Sequence, residues 1–399
     1  MRLEHQLILK CARTYHSGEN QDKIVGLLSR DLDWNYIFDW INYHGLIPLF
    51  YWTIKEFQEQ VNPNFFALIH GEFKKNACRN LSLTQELIKI IQCFETAKIP
   101  VVAFKGPVLA QTVYQNLGFR QFVDLDILIP PDCVSKASKL LIEQGYEPQF
   151  EFQGWQENRY TQIRPEHNFY SSEKDLSIDL HWSLISSALS FHENPQLIWE
   201  DKNYQDRVKL GNKKILTLSP EALLLFLCVH GAKHDWSHLS WVCDIAELLH
   251  RYQDLDWLWI EQQVGHLGTQ TMLELGLGLA QTYLEAPVPE DWVKRLESNS
   301  KIQELGKLVE GQWFNSPSEG NSLRLMGQIY VQTMDSPRDR LWYWFDYVAT
   351  PTPLEWEILP LPSGLFFFYY PLRLFRLLWK YCPSWLKPQS LLGSTGNNN

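Results

Sequence analysis

The stretch from Pro100 to Ile129, PVVAFKGPVLAQTVYQNLGFRQFVDLDILI, constrains this chain more than any other. Val101-Val102-Ala103-Phe104 is an apolar run of strand length. Lys105-Gly106-Pro107 stops it, and Pro107 suits the first turn of a following helix. A helix from Val108 to about Asn116 is expected next, then a second strand, Val123-Asp124-Leu125-Asp126-Ile127-Leu128-Ile129. Side chains alternate across a strand, so Asp124 and Asp126 share one face while Val123, Leu125 and Ile127 share the other. Two carboxylates held on one face repel unless something positive sits between them, and a divalent cation is the usual solution.

The rest of the chain arranges itself around that stretch. Residues 1–98 read as helical, with two short helices meeting at His44-Gly45 and a longer amphipathic helix from Leu83 feeding the first strand. That segment is expected to be a helical cap without chemistry. Beyond the second strand, Asp132 is placed to cap a helix running to about Gln144, Gly145 to stop it, and Tyr146-Glu147-Pro148 to restart extended chain. His167–Tyr170 and Leu176–Trp182 read as strands. The second puts Leu176, Ile178, Leu180 and Trp182 on one face and Ser177, Asp179 and His181 on the other. A polar connection over 186–214 leads to a short strand, Ile215–Leu218, and Ser219-Pro220-Glu221 is a strong helix start. The expected fold class is therefore α+β. A small mixed sheet over 99–218 lies between an N-terminal helical segment (1–98) and a C-terminal helical domain (219–350). An apolar and basic segment (351–392) and a disordered tail (393–399) follow.

Composition excludes some functions. A formal charge of −10 argues against a protein that coats nucleic acid, since phosphate binding needs a basic face. Seven dispersed cysteines with no CxxC pair suit reduced thiols rather than a disulfide framework. The first twenty or so residues lack an apolar core of signal-peptide length, and no apolar run is long enough to span a bilayer. A cytoplasmic location is expected.

The Asp124-x-Asp126 pair gains meaning from its neighbours. Gly106 lets a triphosphate approach backbone N–H groups where a helix begins. Lys105 and Arg120 can neutralise phosphate oxygens. Alternatively, Lys105 is a salt-bridge lysine and Arg120 steadies the loop by pairing with Asp124. Asp179 can complete a site with the other two acids, holding metal or taking a proton from an acceptor hydroxyl.

The KGxxL pattern at Lys105, the R-x3-DLDIL core at Arg120, the later IDLHW and a helical HxxxHxW at His230 together resemble the bacterial nucleotidyltransferase-like family of the polymerase-β superfamily. The resemblance covers roughly residues 30–350. It implies a mixed-sheet nucleotidyltransferase core with three carboxylates at its edge, Mg²⁺ as cofactor, and transfer of a nucleoside monophosphate with loss of pyrophosphate. Carried over by position, Gly106 is the turn glycine, Asp124 and Asp126 the metal pair, and Asp179 the third acid. Lys105, Gly106, Arg120 and His181 are the expected nucleotide contacts. Pro107 departs from the superfamily, whose turn glycine is followed by Ser or Gly, because it offers neither an N–H nor a hydroxyl. It favours the alternative of a protein that binds a nucleotide without transferring it. The expected partners are a nucleoside triphosphate and a small-molecule, sugar or protein acceptor.

Two further stretches carry chemistry-bearing residues. His230, His234 and His238 would fall one turn apart on a continuous helix, a spacing zinc can use, but Gly231 and Asp235–Ser237 suggest a helix end near His234. These histidines are expected to pack the helical domain on the sheet, with His230, His234 or Asp244 facing the cleft. His167 and His181 read either as supports for the site or as buried, hydrogen-bonded histidines. Near the C-terminus, Arg373, Arg376 and Lys380 lie on one helical face, with Leu374, Leu377, Leu378 and Tyr381 on another. Packing on the chain's own helices is expected there rather than membrane contact.

Overall fold

The computed structural model describes residues 1–152, 154–184, 196–314 and 327–381. The tail at 393–399 lies outside them, as does the polar connection as far as residue 195. Five strands make the main sheet: β1 (Val102–Ala103), β2 (Asp124–Leu128), β3 (Glu147–Pro148), β4 (Glu166–Ser171) and β5 (Leu176–His181). Their order is β1-β2-β5-β4-β3, with β2 and β5 parallel and the other pairs antiparallel, so the α+β class with a mixed sheet holds.

Hydrophobic alternation sets the register. Leu125, Ile127, Ile178 and Leu180 are fully buried on one face, against Ala137 and Leu141 of the Val134–Glu143 helix and Leu87 and Ile91 of the Pro63–Thr96 helix. A one-residue slip would drive the aspartates into that core. In the observed register Asp126 pairs with Asp179, Asn168 with Asp179, and Glu166 with His181. Residues paired across strands project to the same side, so the other face gathers these polar groups at the sheet's centre. A hairpin, β6 (Gln205–Leu210) and β7 (Lys213–Leu218), turns at Gly211, whose φ of +60° suits glycine. Sequence pattern marks only the second of these strands, because Gln205-Asp206-Arg207 is too polar to read as one.

Several boundaries move. The helix after Lys105 is Gly106–Thr112, shorter than expected, and Val123 precedes β2 as an exposed residue. Asp132 does not cap the next helix. It sits in a 3-10 turn, Pro131–Cys133, and the cap position is Cys133. The long amphipathic helix begins at Pro63, where the Asn62 side chain accepts from the N–H groups of Asn64 and Phe65. As expected, Trp34–Tyr43 and Ile47–Ile54 meet at His44-Gly45, and Ser219 caps Pro220–Lys233 through a hydrogen bond from the Ala222 N–H.

Beyond its first turn, where Tyr369 is fully buried, the C-terminal helix, Tyr369–Tyr381, packs inside out. Arg373 and Arg376 turn inward onto Glu355, a fully buried carboxylate, and Arg373 also donates to the Tyr347 carbonyl. Phe375, Leu378 and Trp379 face outward, as do Leu341, Trp344 and Phe345 of the neighbouring Pro337–Ala349 helix. The two arginines share the inward side with Tyr369, which is fully buried, and Leu372, which packs on the apolar core. No helix among the described residues is long and apolar enough to cross a membrane.

Candidate active site

A cavity of about 470 Å³ opens over the polar face of β2 and β5, a size suited to a nucleotide-scale ligand. Asp124, Asp126, Asp179, Lys105, Arg120 and His181 all line it. Gly106 does not. It is buried at φ +51°, where an added Cβ would lie 3.2 Å from the Asp124 carbonyl oxygen, so glycine is needed for the helix to start close against β2.

Asp126 is the centre of the arrangement. Its Oδ1 accepts from Lys105 Nζ at 2.8 Å and lies 3.3 Å from His181 Nε2, while its buried Oδ2 has no hydrogen-bond partner. Such an orphaned buried carboxylate oxygen is costly unless a cation satisfies it. Asp126, Asp179 and His181 offer ligand atoms within 4.8 Å of one another, and they are the one group of three or more such residues among those described. His181 joins Asp126 and Asp179 in that set, and Asp124 lines the cavity beside it.

The electrostatics divide these groups into roles. Burial works against ionised Asp126, but the Lys105 ammonium and His181 hold its carboxyl far below the usual carboxylate range. Asp179 is pushed up to about 7 by burial and by the charge of Asp126, and it accepts a 2.6 Å hydrogen bond from Asn168 Nδ2. Asp124 is also raised, by burial and then by Asp126. His181 is raised to about 9 despite its burial, because Asp126 and Glu166 grip its two ring nitrogens. It is an imidazolium near neutral pH, and so a positioned cation rather than a free ligand. Glu166, at about 2, owes its depression, against burial, to the hydrogen bond with His181.

Arg120 is fixed from behind. Its Nε and Nη2 each lie 2.9 Å from the two oxygens of Asp244, to which Tyr114 also donates at 2.7 Å. Arg120 therefore pairs with Asp244 rather than Asp124, and Asp244 is buried behind the cavity instead of facing it.

Helical segments supply the other walls. Pro220–Lys233 brings Phe226, Val229, His230 and Lys233 to the cavity and ends at His234, as Gly231 and the polar cluster implied. Asp235 and Trp236 follow with φ of +53° each, a strained turn for residues with side chains. It is held because Asp235 accepts from the N–H groups of Gly327 and Tyr330, and Trp236 inserts against Gly231, where a Cβ would come within 2.4 Å of its ring. The break turns His238 and Trp241 back toward the cavity, so the three histidines are not one helical row. Cys228 and Cys243 are buried and do not line the cavity, and among the described residues these histidines form no group of three that could hold a metal ion. His167 is buried among Phe150, Phe152 and Phe169, the bland outcome.

Sequence reasoning missed two contributors. Glu166 lies one residue outside the expected strand. Extending the alternation by that residue would have placed it with Asn168 and Asp179 on the site's face. The N-terminal helices are more than a cap, because Asn42, Tyr43, His44 and Gly45 line the cavity.

A profile of the family described as "Uncharacterised nucleotidyltransferase" matches residues 30–285. The chain belongs to that family. Among solved structures, it is similar to an antigenic nucleotidyltransferase-like protein from Paracoccidioides brasiliensis, at 13% identity and a TM-score of 0.33. That match covers 55% of this chain and 93% of the other, a likeness too loose to bear on the site. No curated protein matches. Family membership implies a nucleotide substrate, and the cavity floor carries a group that could hold a metal ion.

Proposed function

We propose that this protein is a Mg²⁺-dependent nucleotidyltransferase that moves a nucleoside monophosphate, AMP from ATP, to a hydroxyl of a small-molecule, sugar or protein acceptor. The observation that carries this reading is the buried, unpartnered Oδ2 of Asp126 beside Asp179. Hard carboxylate oxygens fit Mg²⁺, and Asp126 and Asp179, with Asp124 adjacent, would hold it. When bound, the ion would screen triphosphate charge and polarise the reacting phosphorus.

The chain's own groups account for the rest. Lys105, Arg120 and Lys233 place positive charge around the cavity for phosphate oxygens. The acceptor's oxygen would bond to the α-phosphorus as the bond to the β-phosphate oxygen breaks, its proton passing to water at the open side of the cavity. Glu166 and Asp126 orient His181, and His181 in turn fixes the Asp126 carboxylate.

The test is incubation with α-labelled ATP, Mg²⁺ and cell extract, beside an Asp124→Asn/Asp126→Asn variant. Label reaching an acceptor only with the wild type is the expected outcome, and no such label would sink the claim. A second reading, nucleotide binding without transfer, draws on Lys105, whose ammonium already occupies an Asp126 oxygen. It predicts bound nucleotide with no pyrophosphate released.

A further inference from the structure

The wall facing the carboxylates is built from rings. Phe226 lies beneath Lys105, whose Nζ is 5.3 Å from the ring centre, and it stacks on His230 at 5.7 Å. Trp241 is the hub beyond, 5.5 Å from His230, 5.2 Å from His234 and 4.9 Å from His238. His238 then stacks on Tyr43 at 4.9 Å, and the Tyr43 side of the row is exposed. All six rings line the one cavity. The row starts at Lys105 and runs to the cavity's rim.

Burial holds His230, His234 and His238 below their ordinary pKa, so at neutral pH these imidazoles are uncharged. A neutral imidazole offers one donor and one acceptor, and the indole face offers a stacking plane. The rings of this wall carry no charge of their own, and the charged side chain among them is Lys233, which lies 3.7 Å from Glu166. From the rings a phosphate or carboxylate gains little, whereas a flat, uncharged ring with donors and acceptors on its edge gains stacking and hydrogen bonds together. The carboxylate floor and its lysine meet the opposite requirement a short distance away.

We propose that the row Phe226–His230–His234–Trp241 is the base-binding surface of the site, with Trp241 as the stacking plane and the His230 and His234 edges as hydrogen-bonding partners. The donor is thus selected by its nucleobase as well as by its phosphates. Tyr43 and His238 lie past the base, at the end of the row open to an incoming acceptor. The assignment rests on the nucleotidyl-transfer reading above, and makes the helices, not the sheet, the source of base affinity.

Equilibrium dialysis in Mg²⁺ of ATP and of inorganic tripolyphosphate separates the two walls. In Trp241→Leu, ATP affinity is expected to fall about tenfold or more while tripolyphosphate affinity changes less than about twofold, since stacking on one aromatic side chain is worth ~1–3 kcal/mol. Equal ATP affinity in wild type and Trp241→Leu overturns the assignment and leaves the transferase reading standing. Wild-type protein that binds neither ATP nor other nucleoside triphosphates brings both down. Should Trp241→Leu lose both ligands, His234→Leu decides. Selective loss of ATP supports the assignment, and its absence overturns it.

Discussion

Asp126 and Asp244 are both buried aspartates, each set against a cation. Asp244 is saturated: Arg120 meets both its oxygens and Tyr114 adds a third hydrogen bond. Asp126 is not, because Lys105 and His181 converge on Oδ1 and leave Oδ2 bare. A closed pair contributes to stability and holds Arg120 in place, and nothing remains for a ligand to do. An open one keeps a desolvated negative atom available, a cost to the folded protein that a bound cation would offset. Burial and charge alone do not distinguish a structural acid from a functional one. The count of satisfied lone pairs does.

The largest effect that could break this contrast is on Asp244. Asp244→Ala leaves Arg120 buried without its partner and is expected to destabilise the protein by about 3–5 kcal/mol in urea unfolding. A loss below about 1 kcal/mol would show that the pair does not hold the loop.

Next in size is the response to Mg²⁺. At a hundredfold excess over its Kd, Mg²⁺ should stabilise the wild type by about 2.7 kcal/mol. It should do nothing for Asp126→Asn, and the full increment should persist in Asp244→Asn, read by thermal unfolding. The increment should also depend on pH. Asp179 has its folded pKa raised to about 7 from an ordinary 3.8, so the metal-free protein keeps a proton that the unfolded chain has released. The contribution of Asp179 to metal-free stability therefore declines as pH rises from about 4 to 7, opposite in sign to that of buried His44, His167 and His234, each held near 4, and Mg²⁺ must displace the Asp179 proton below 7. Its affinity should weaken as pH falls through that value. Equal stabilisation at pH 5.5 and 8 would mean that Asp179 is not a ligand.

How much of this was legible in the sequence depended on how far apart the partners lie. Alternation along 124–128 and 176–181 gave the strand faces and so the shared side of Asp126 and Asp179. Ser219-Pro220 and the break at His234 marked a helix at both ends, since caps and turns are decided within a few residues. Arg120 and Asp244 are 124 positions apart, and no window joins them. The same holds for Tyr43, brought to the cavity beside His238 from 195 positions away. Glu166 was missed for a smaller reason, a strand boundary set one residue late.

The C-terminal helix gives the smallest effects, and it extends the contrast to a third acid. Periodicity set Arg373 and Arg376 apart from Leu374 and Leu378, yet periodicity cannot say which side turns inward. Glu355 decides it: Thr352, Arg373 and Arg376 all bond this fully buried carboxylate, which makes it a closed site of the Asp244 kind. Arg376→Leu should then cost about 1.5 kcal/mol, the low end for a hydrogen bond to a charged group, because Arg373 stays on Glu355 and Arg376 is partly exposed. Leu378, 72% exposed, has little to lose, and Leu378→Ser should change stability by less than about 0.5 kcal/mol. The usual ranking of a buried leucine over a surface arginine is reversed here. If urea unfolding instead finds Leu378→Ser the costlier change, the apolar face is buried in solution and the helix is not inside out.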